Sequence, residues 1–131
     1  MNAELMARII AGEAGICGPL AWLAVAWVYQ RNKTFYARGE PTPDMVWLAE
    51  NWWRFPDPTR GATYLVNDRD LRLPVVRRFT VDRGPPTAVF ICSGGRRLYA
   101  FGGDAQRTRY YWYHHPLPVI LTHSTRRAII R

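Results

Sequence analysis

Ten consecutive residues, Leu20-Ala21-Trp22-Leu23-Ala24-Val25-Ala26-Trp27-Val28-Tyr29, leave a helix no polar face. Such a helix has to be covered on every side, and the run is about half of the ~20 residues a bilayer crossing needs. It therefore predicts the buried central helix of one small domain, with the rest of the chain packed around it. Gly18 before it suits a cap, and Pro19 suits the first helical position, where a missing N–H costs nothing. Gln30, Arg31, Asn32 and Lys33 then return the chain to water. The composition supplies the covering: of 131 residues, 48% are hydrophobic and 14% aromatic, including six Trp and seven Tyr. A chain of this length makes one core, which excludes a two-domain enzyme with its own cofactor module, and its apolar content argues against disorder.

A first helix is expected from Ala3 to Gly12 or Ala14, because Leu5, Met6, Ile9 and Ile10 recur at helical spacing. A third is marked by Thr42 as N-cap, Pro43 at the first position and Asp44 in the first turn, and runs to about Trp53. Pro56, Pro58 and Gly61 then break helicity. Beyond them the β-branched and aromatic runs Ala62–Val66, Val75–Val81 and Thr87–Cys92 read as strands, and Ser93-Gly94-Gly95 reads as the turn of a hairpin into Arg96–Phe101. The fold class expected is α+β, with N-terminal helices followed by a small antiparallel β-rich half. Residues 1–103 make that domain. Residues 104–131, with Tyr110-Tyr111-Trp112-Tyr113, Pro116, Pro118 and room for two short strands, make a basic, aromatic extension packed on it.

The formal net charge is +8 and the sequence pI about 10.2. Residues 1–50 hold four basic against five acidic side chains, whereas the remainder holds 14 Arg against five Asp. Such asymmetry points to a polyanionic partner: nucleic acid, anionic lipid or an acidic cell-wall polymer. A GC-rich genome accounts equally well for the preference of Arg over Lys, though not for the net charge. Cys17 and Cys92 are far apart and show no CxxC or Cys/His spacing, so neither a zinc site nor a disulfide framework can be read from them. His114, His115 and His123 lie beside Pro or a basic tail and read as surface or packing residues, so no metal and no cofactor are expected. Glu4 stands where a signal peptide carries positive charge, and no secretion signal is expected.

Steps of three and four from Met6 through Ile9 and Ile10 bring Glu13 onto the apolar stripe of the first helix, between Gly12 and Gly15. Burial disfavours the charged form of a carboxyl group, so a glutamate held there stays protonated toward neutral pH and can donate a proton. Cleavage of a glycosidic bond needs such an acid. The alternative is that Glu13 turns out of the stripe at the helix end and pairs with an Arg.

The words around Glu13 extend the reading. Met6-Ala7-Arg8-Ile9-Ile10-Ala11-Gly12-Glu13-Ala14-Gly15, then Ala24-Val25-Ala26-Trp27-Val28 and Arg31-Asn32, resemble the opening of the SleB-type cell-wall hydrolases, the spore-cortex-lytic family. The likeness resumes at Asp57-Pro58-Thr59-Arg60-Gly61-Ala62-Thr63-Tyr64 and continues at Thr87-Ala88-Val89 and from Gly94-Gly95 to Tyr99, covering residues 4 to 101 in blocks. It implies a lysozyme-like α+β fold and a peptidoglycan-degrading enzyme, a lytic transglycosylase or muramidase, in which Glu13 is the sole acid/base. The family's tyrosine falls on Tyr64, which the resemblance places as a hydrogen-bond partner of Glu13 or of substrate. Three departures stand out: Gly15-Ile16-Cys17 replaces the family's Arg-Gly-Glu, Arg31-Asn32 reverses its Asn-Arg, and the middle segment is compressed into Trp47 to Phe55. Within that segment, Trp52, Trp53 and Phe55 are candidate flat faces for sugar rings.

Peptidoglycan is thus the expected partner, with anionic wall polymers as a further attraction for the basic half. A second reading keeps the scaffold as a non-catalytic wall-binding or virion structural module. A third, nucleic-acid binding by the Arg and aromatic residues of 107–113, lacks any helix-turn-helix, zinc or RRM word and is set aside. Without a secretion signal, a wall enzyme of this size fits a phage or prophage product, either an endolysin released at host lysis or a virion component. Oligomeric state and wall chemotype cannot be read from the residues.

Overall fold

The computed structural model describes residues 2–104 and 106–113. The expected central helix is α2, Pro19–Arg31, with Leu20, Ala21, Leu23, Ala24, Val25, Ala26, Val28 and Tyr29 buried. Its two part-buried indoles use their polar edges: Trp22 Nε1 donates to Ala14 O at 2.9 Å and Trp27 Nε1 to Phe55 O at 3.1 Å. A buried indole N–H without a partner is costly, so these bonds fix how α2 sits against the chain before and after it. No helix among the described residues is long and apolar enough to cross a membrane.

Helix α1, Ala3–Ala14, is capped by the Asn2 side chain, which accepts from Glu4 N and Leu5 N, and it buries Met6, Ala7, Ile9, Ile10 and Ala14. Helix α3, Pro43–Asn51, begins as its sequence demands, with Thr42 Oγ1 accepting from Met45 N at 3.4 Å. It stops short of Trp53 because Trp52–Arg54 tightens into a 3₁₀ turn. A second apolar cluster, Leu23, Leu48 and Phe55 walled by Trp22, Trp27, Trp47 and Trp52, joins α2 to α3 and shares Trp22 and Trp52 with the main core.

The second half forms a four-stranded sheet in the order β1-β3-β2-β4, with β1 Tyr64–Asn67, β2 Ala88–Ile91, β3 Arg97–Phe101 and β4 Arg109–Trp112. The hairpin expected around Ser93-Gly94-Gly95 is β2-β3, paired Phe90 to Leu98. Two expectations are corrected. The sheet is mixed rather than antiparallel, since β4 crosses to the far edge of β2 and runs parallel to it, Phe90 opposite Tyr111. Those two rings stack at 5.1 Å between centroids. The extension assigned to residues 104–131 therefore begins as an integral strand of the domain's sheet, while its remainder, with His114, His115, Pro116, Pro118 and His123, lies outside the described residues.

The second correction is Val75–Val81, which is not a strand but helix α4, Pro74–Val81. Pro74 occupies the first helical position, and Val75/Phe79 and Val76/Thr80 are four apart. That spacing makes a helical stripe opposite Arg77 and Arg78, and it outweighs the β preference of valine and threonine. Among the described residues the fold is thus α+β with four α-helices and a small mixed sheet.

The block Asp57–Ala62 works as a clamp. Asp57 Oδ1 accepts from Thr59 N at 2.8 Å and Thr59 Oγ1 at 2.7 Å, and Oδ2 accepts from Gly61 N at 2.9 Å and pairs with Arg31. Arg31 Nη1 also donates to Ala62 O and Asn32 Nδ2 to Thr63 O, each at 2.8 Å. Arg31-Asn32 and Asp57–Ala62 are therefore one structural unit, which sets β1, and with it Tyr64, against the end of α2.

Candidate active site

Glu13 sits in the last turn of α1 and is half-buried. Trp22 holds that turn from one side through the Ala14 carbonyl. From the other side it is covered by the irregular strap between α2 and α3. Gly12 is the reason the strap can come so close: a Cβ there would lie 2.5 Å from Arg38 N and 2.7 Å from Ala37 C, distances no side chain tolerates. Gly39 N donates to Arg8 O at 2.9 Å, and Ala37 N donates to Glu13 Oε1 at 3.1 Å. The Gly12-Glu13 word thus has a physical meaning, since the glycine admits the backbone that orients the carboxyl beside it.

Burial raises the Glu13 pKa above its ordinary value, opposed by the backbone amides of Ala37 and Tyr36, raised further by the charge of Asp70 and lowered slightly by Arg38. Glu13 forms no salt bridge among the described residues, and its carboxyl is held by the Ala37 amide. Tyr64 is raised as well, by burial first and then by Asp70, with Arg83 opposing and Glu13 adding a smaller push. The two groups singled out in the sequence are therefore within electrostatic reach of each other.

Among the described residues each lines a cavity of its own. Glu13 lines a cavity of about 350 Å³ with Gly12, Ile16, Asn67 and the basic residues Arg69, Arg96 and Arg97. Tyr64 lines a neighbouring one of about 490 Å³ with Asn32, Tyr36, Val75, Val76 and Phe79. The strap links them, because Tyr36 presents its backbone to Glu13 and lines the second cavity with a residue that is 87% exposed. Tyr64 packs edge-on to Phe79 at 4.9 Å, and the Arg83 guanidinium caps the Phe79 ring at 3.3 Å from its centroid.

Trp52, Trp53 and Phe55 lie elsewhere. Phe55 is 5% exposed in the α2-α3 cluster and offers no face to a sugar. Trp52 is edge-on to Trp27 at 4.9 Å, and Trp53, though 60% exposed, packs on Trp52 and lines neither cavity. The aromatic rings beside the site are Tyr36, Tyr64 and Phe79. Asp70 was also hidden in the sequence: Asn67 Oδ1 accepts from Asp70 N at 2.7 Å while Asn67 Nδ2 donates to Asp70 Oδ2 at 3.1 Å. Asn67 and Asp70 stand three apart, a turn signal that marks this pairing.

The arrangement offers one protonatable carboxyl oriented by a backbone amide, a second carboxylate in electrostatic reach, a phenol nearby and an aromatic groove alongside. Set against known protein families, curated proteins and solved structures, the chain matches none of them.

One prediction tests the strap. Gly12→Ala must push Arg38 and Ala37 away, removing amide bonds that hold the Glu13 pKa down. The Glu13 pKa, followed by NMR of its carboxyl carbon, should then rise above the wild-type value. A titration curve that superimposes on wild type would show that the strap does not set the pKa of Glu13.

Proposed function

We propose that the protein is a lysozyme-like enzyme that cleaves the glycan strand of peptidoglycan, with Glu13 as general acid and then general base. The observation that carries this reading is the carboxyl itself: half-buried on an apolar helix face, raised in pKa, fixed by the Ala37 amide and open to a cavity. Protonated Glu13 gives its proton to the glycosidic oxygen as the bond from that oxygen to the anomeric carbon breaks. As carboxylate it then accepts a proton from the nucleophile that attacks the anomeric carbon. If the nucleophile is the muramic 6-hydroxyl, the product is an anhydro sugar, and if it is water, a reducing end. In this reading burial, with a smaller push from the charge of Asp70, keeps the proton on Glu13 until the leaving oxygen takes it, and the exposed Tyr36 supplies a face for a sugar ring that Trp52, Trp53 and Phe55 do not.

Incubation with purified peptidoglycan, followed by mass spectrometry of the soluble products, tests this. Muropeptides with anhydro or newly reducing muramic ends are expected. Retention on the wall with no released product would overturn the enzymatic reading in favour of a binding module.

A further inference from the structure

The surplus of Arg in the second half of the chain is not spread evenly, and one part of it adjoins Glu13. Asp68, Arg69, Arg72, Gly94, Gly95 and Arg96 enclose a recess of about 290 Å³. Arg69 and Arg96 also line the cavity that holds Glu13, so the two spaces share a wall. Three arginines and one aspartate line it, and the aspartate is engaged. Asp68 Oδ1 accepts from Arg96 Nε at 3.1 Å and Nη2 at 2.9 Å, which sets the plane of the Arg96 fork and leaves Nη1 to point elsewhere. Arg69 and Arg72 form no salt bridge among the described residues. Gly94 and Gly95, both at positive φ, close the recess with backbone alone.

We propose that this recess is an oxyanion subsite, seating a carboxylate or phosphodiester pendant on the glycan strand beside the bond at Glu13. The inference rests on the reading of Glu13 as the acid that cleaves that strand. Guanidinium forks match both planar carboxylate and phosphate oxygens through paired N–H donors, and three of them around one recess hold more positive charge than their own protein neutralises. Peptidoglycan carries such groups at intervals, as stem-peptide carboxylates and as the phosphodiesters of attached polymers. A subsite of this kind makes the enzyme select decorated strands over bare ones, and its contribution weakens as salt rises.

The test compares wild type with the double variant Arg69→Gln/Arg72→Gln, both positions being exposed. A control, Arg107→Gln/Arg109→Gln, removes the same charge near and on β4. On intact peptidoglycan fragments the site variant should show KM raised about tenfold or more, kcat within about twofold of wild type, and the control unchanged. If the KM difference disappears once carbodiimide and an amine have converted the fragments' carboxyl groups to amides, the carboxylates are the ligand. If it disappears instead after hydrofluoric acid has removed phosphodiesters, those are. No difference on intact fragments, an equal loss in the control, or a difference that survives both treatments overturns the subsite. Should wild type release no product at all, the reading of Glu13 fails. The subsite is then judged by cosedimentation of the Glu13→Gln protein with wall fragments, where an equal affinity with and without the two arginines overturns it.

Discussion

Glu13→Gln is expected to reduce release of muropeptides by about a hundred- to ten-thousandfold, the scale set by loss of the acid/base group, while leaving the fold intact and raising the melting temperature at neutral pH. The two halves of this expectation have one cause. Burial lifts the folded-state pKa of Glu13 above its ordinary value of 4.5. Between the unfolded and folded values the native chain binds more protons than the unfolded chain, so stability is lost as pH rises through that window. Above it the protein carries a half-buried carboxylate that Gln does not impose. The variant should therefore gain in melting temperature over wild type near pH 7, and the gain should vanish below the ordinary carboxyl range, where both side chains are neutral. Wild-type activity should decline as pH rises through the same raised pKa, because the acid must be protonated to act. Paired circular-dichroism melts at acid and neutral pH, with product release measured alongside, check both halves. Full activity in the variant would end the assignment of Glu13. A loss of stability at neutral pH would mean that its carboxylate is a structural partner rather than an acid held in reserve.

That a helix would be buried at Leu20–Tyr29 was legible because an all-apolar face has no alternative, and the start of α3 was legible because Thr42 and Pro43 are local signals, whereas the Asn2 cap of α1 emerged only from the structure. Glu13 was legible for a similar reason, since periodicity alone puts it on the apolar stripe. The failures share a different physical origin. Val75–Val81 looks like a strand residue by residue, and only Pro74 and the four-residue spacing of its apolar positions reveal the helix. The parallel placement of β4 is decided by a crossing over β2 that no local pattern encodes. Trp52, Trp53 and Phe55 had the right chemistry for a sugar face, but α2 needed covering on its second side and took Phe55 and Trp52 for it. Asp70 reaches the site only because Asn67 folds the chain back immediately after β1. The resemblance blocks divide in the same way. Gly12-Glu13 builds the candidate site, whereas Arg31-Asn32 and Asp57–Ala62 build the clamp that aims β1.

Reduction, or the Cys17→Ser/Cys92→Ser double variant, is expected to destabilise the protein by about 4 kcal/mol, following the chain-entropy cost of releasing a long closed loop. Cys17 and Cys92, which spacing alone could not pair, are joined in a disulfide across a sequence separation of 75. The bridge ties the turn after α1 to the end of β2, so it spans the helical half and the sheet and shortens the denatured chain's freedom over most of its length. An urea midpoint lower by about 2 M corresponds to that loss at the m-values of small domains. Thiol titration of the denatured, unreduced protein should find no free cysteine among these two. The bridge also forms part of the wall around Glu13, with Cys17 and Cys92 both lining its cavity. A parallel backbone bond, Ser93 N to Ile16 O at 2.8 Å, holds the same two segments together without the sulfurs. Activity at 25 °C and low denaturant should therefore survive reduction within a few fold, while the temperature at which activity is lost drops with the melting point. A midpoint and melting temperature unmoved by the double substitution would overturn the pairing. An immediate loss of activity before any loss of structure would instead show that the bridge, rather than the Ser93–Ile16 bond, shapes the wall beside Glu13.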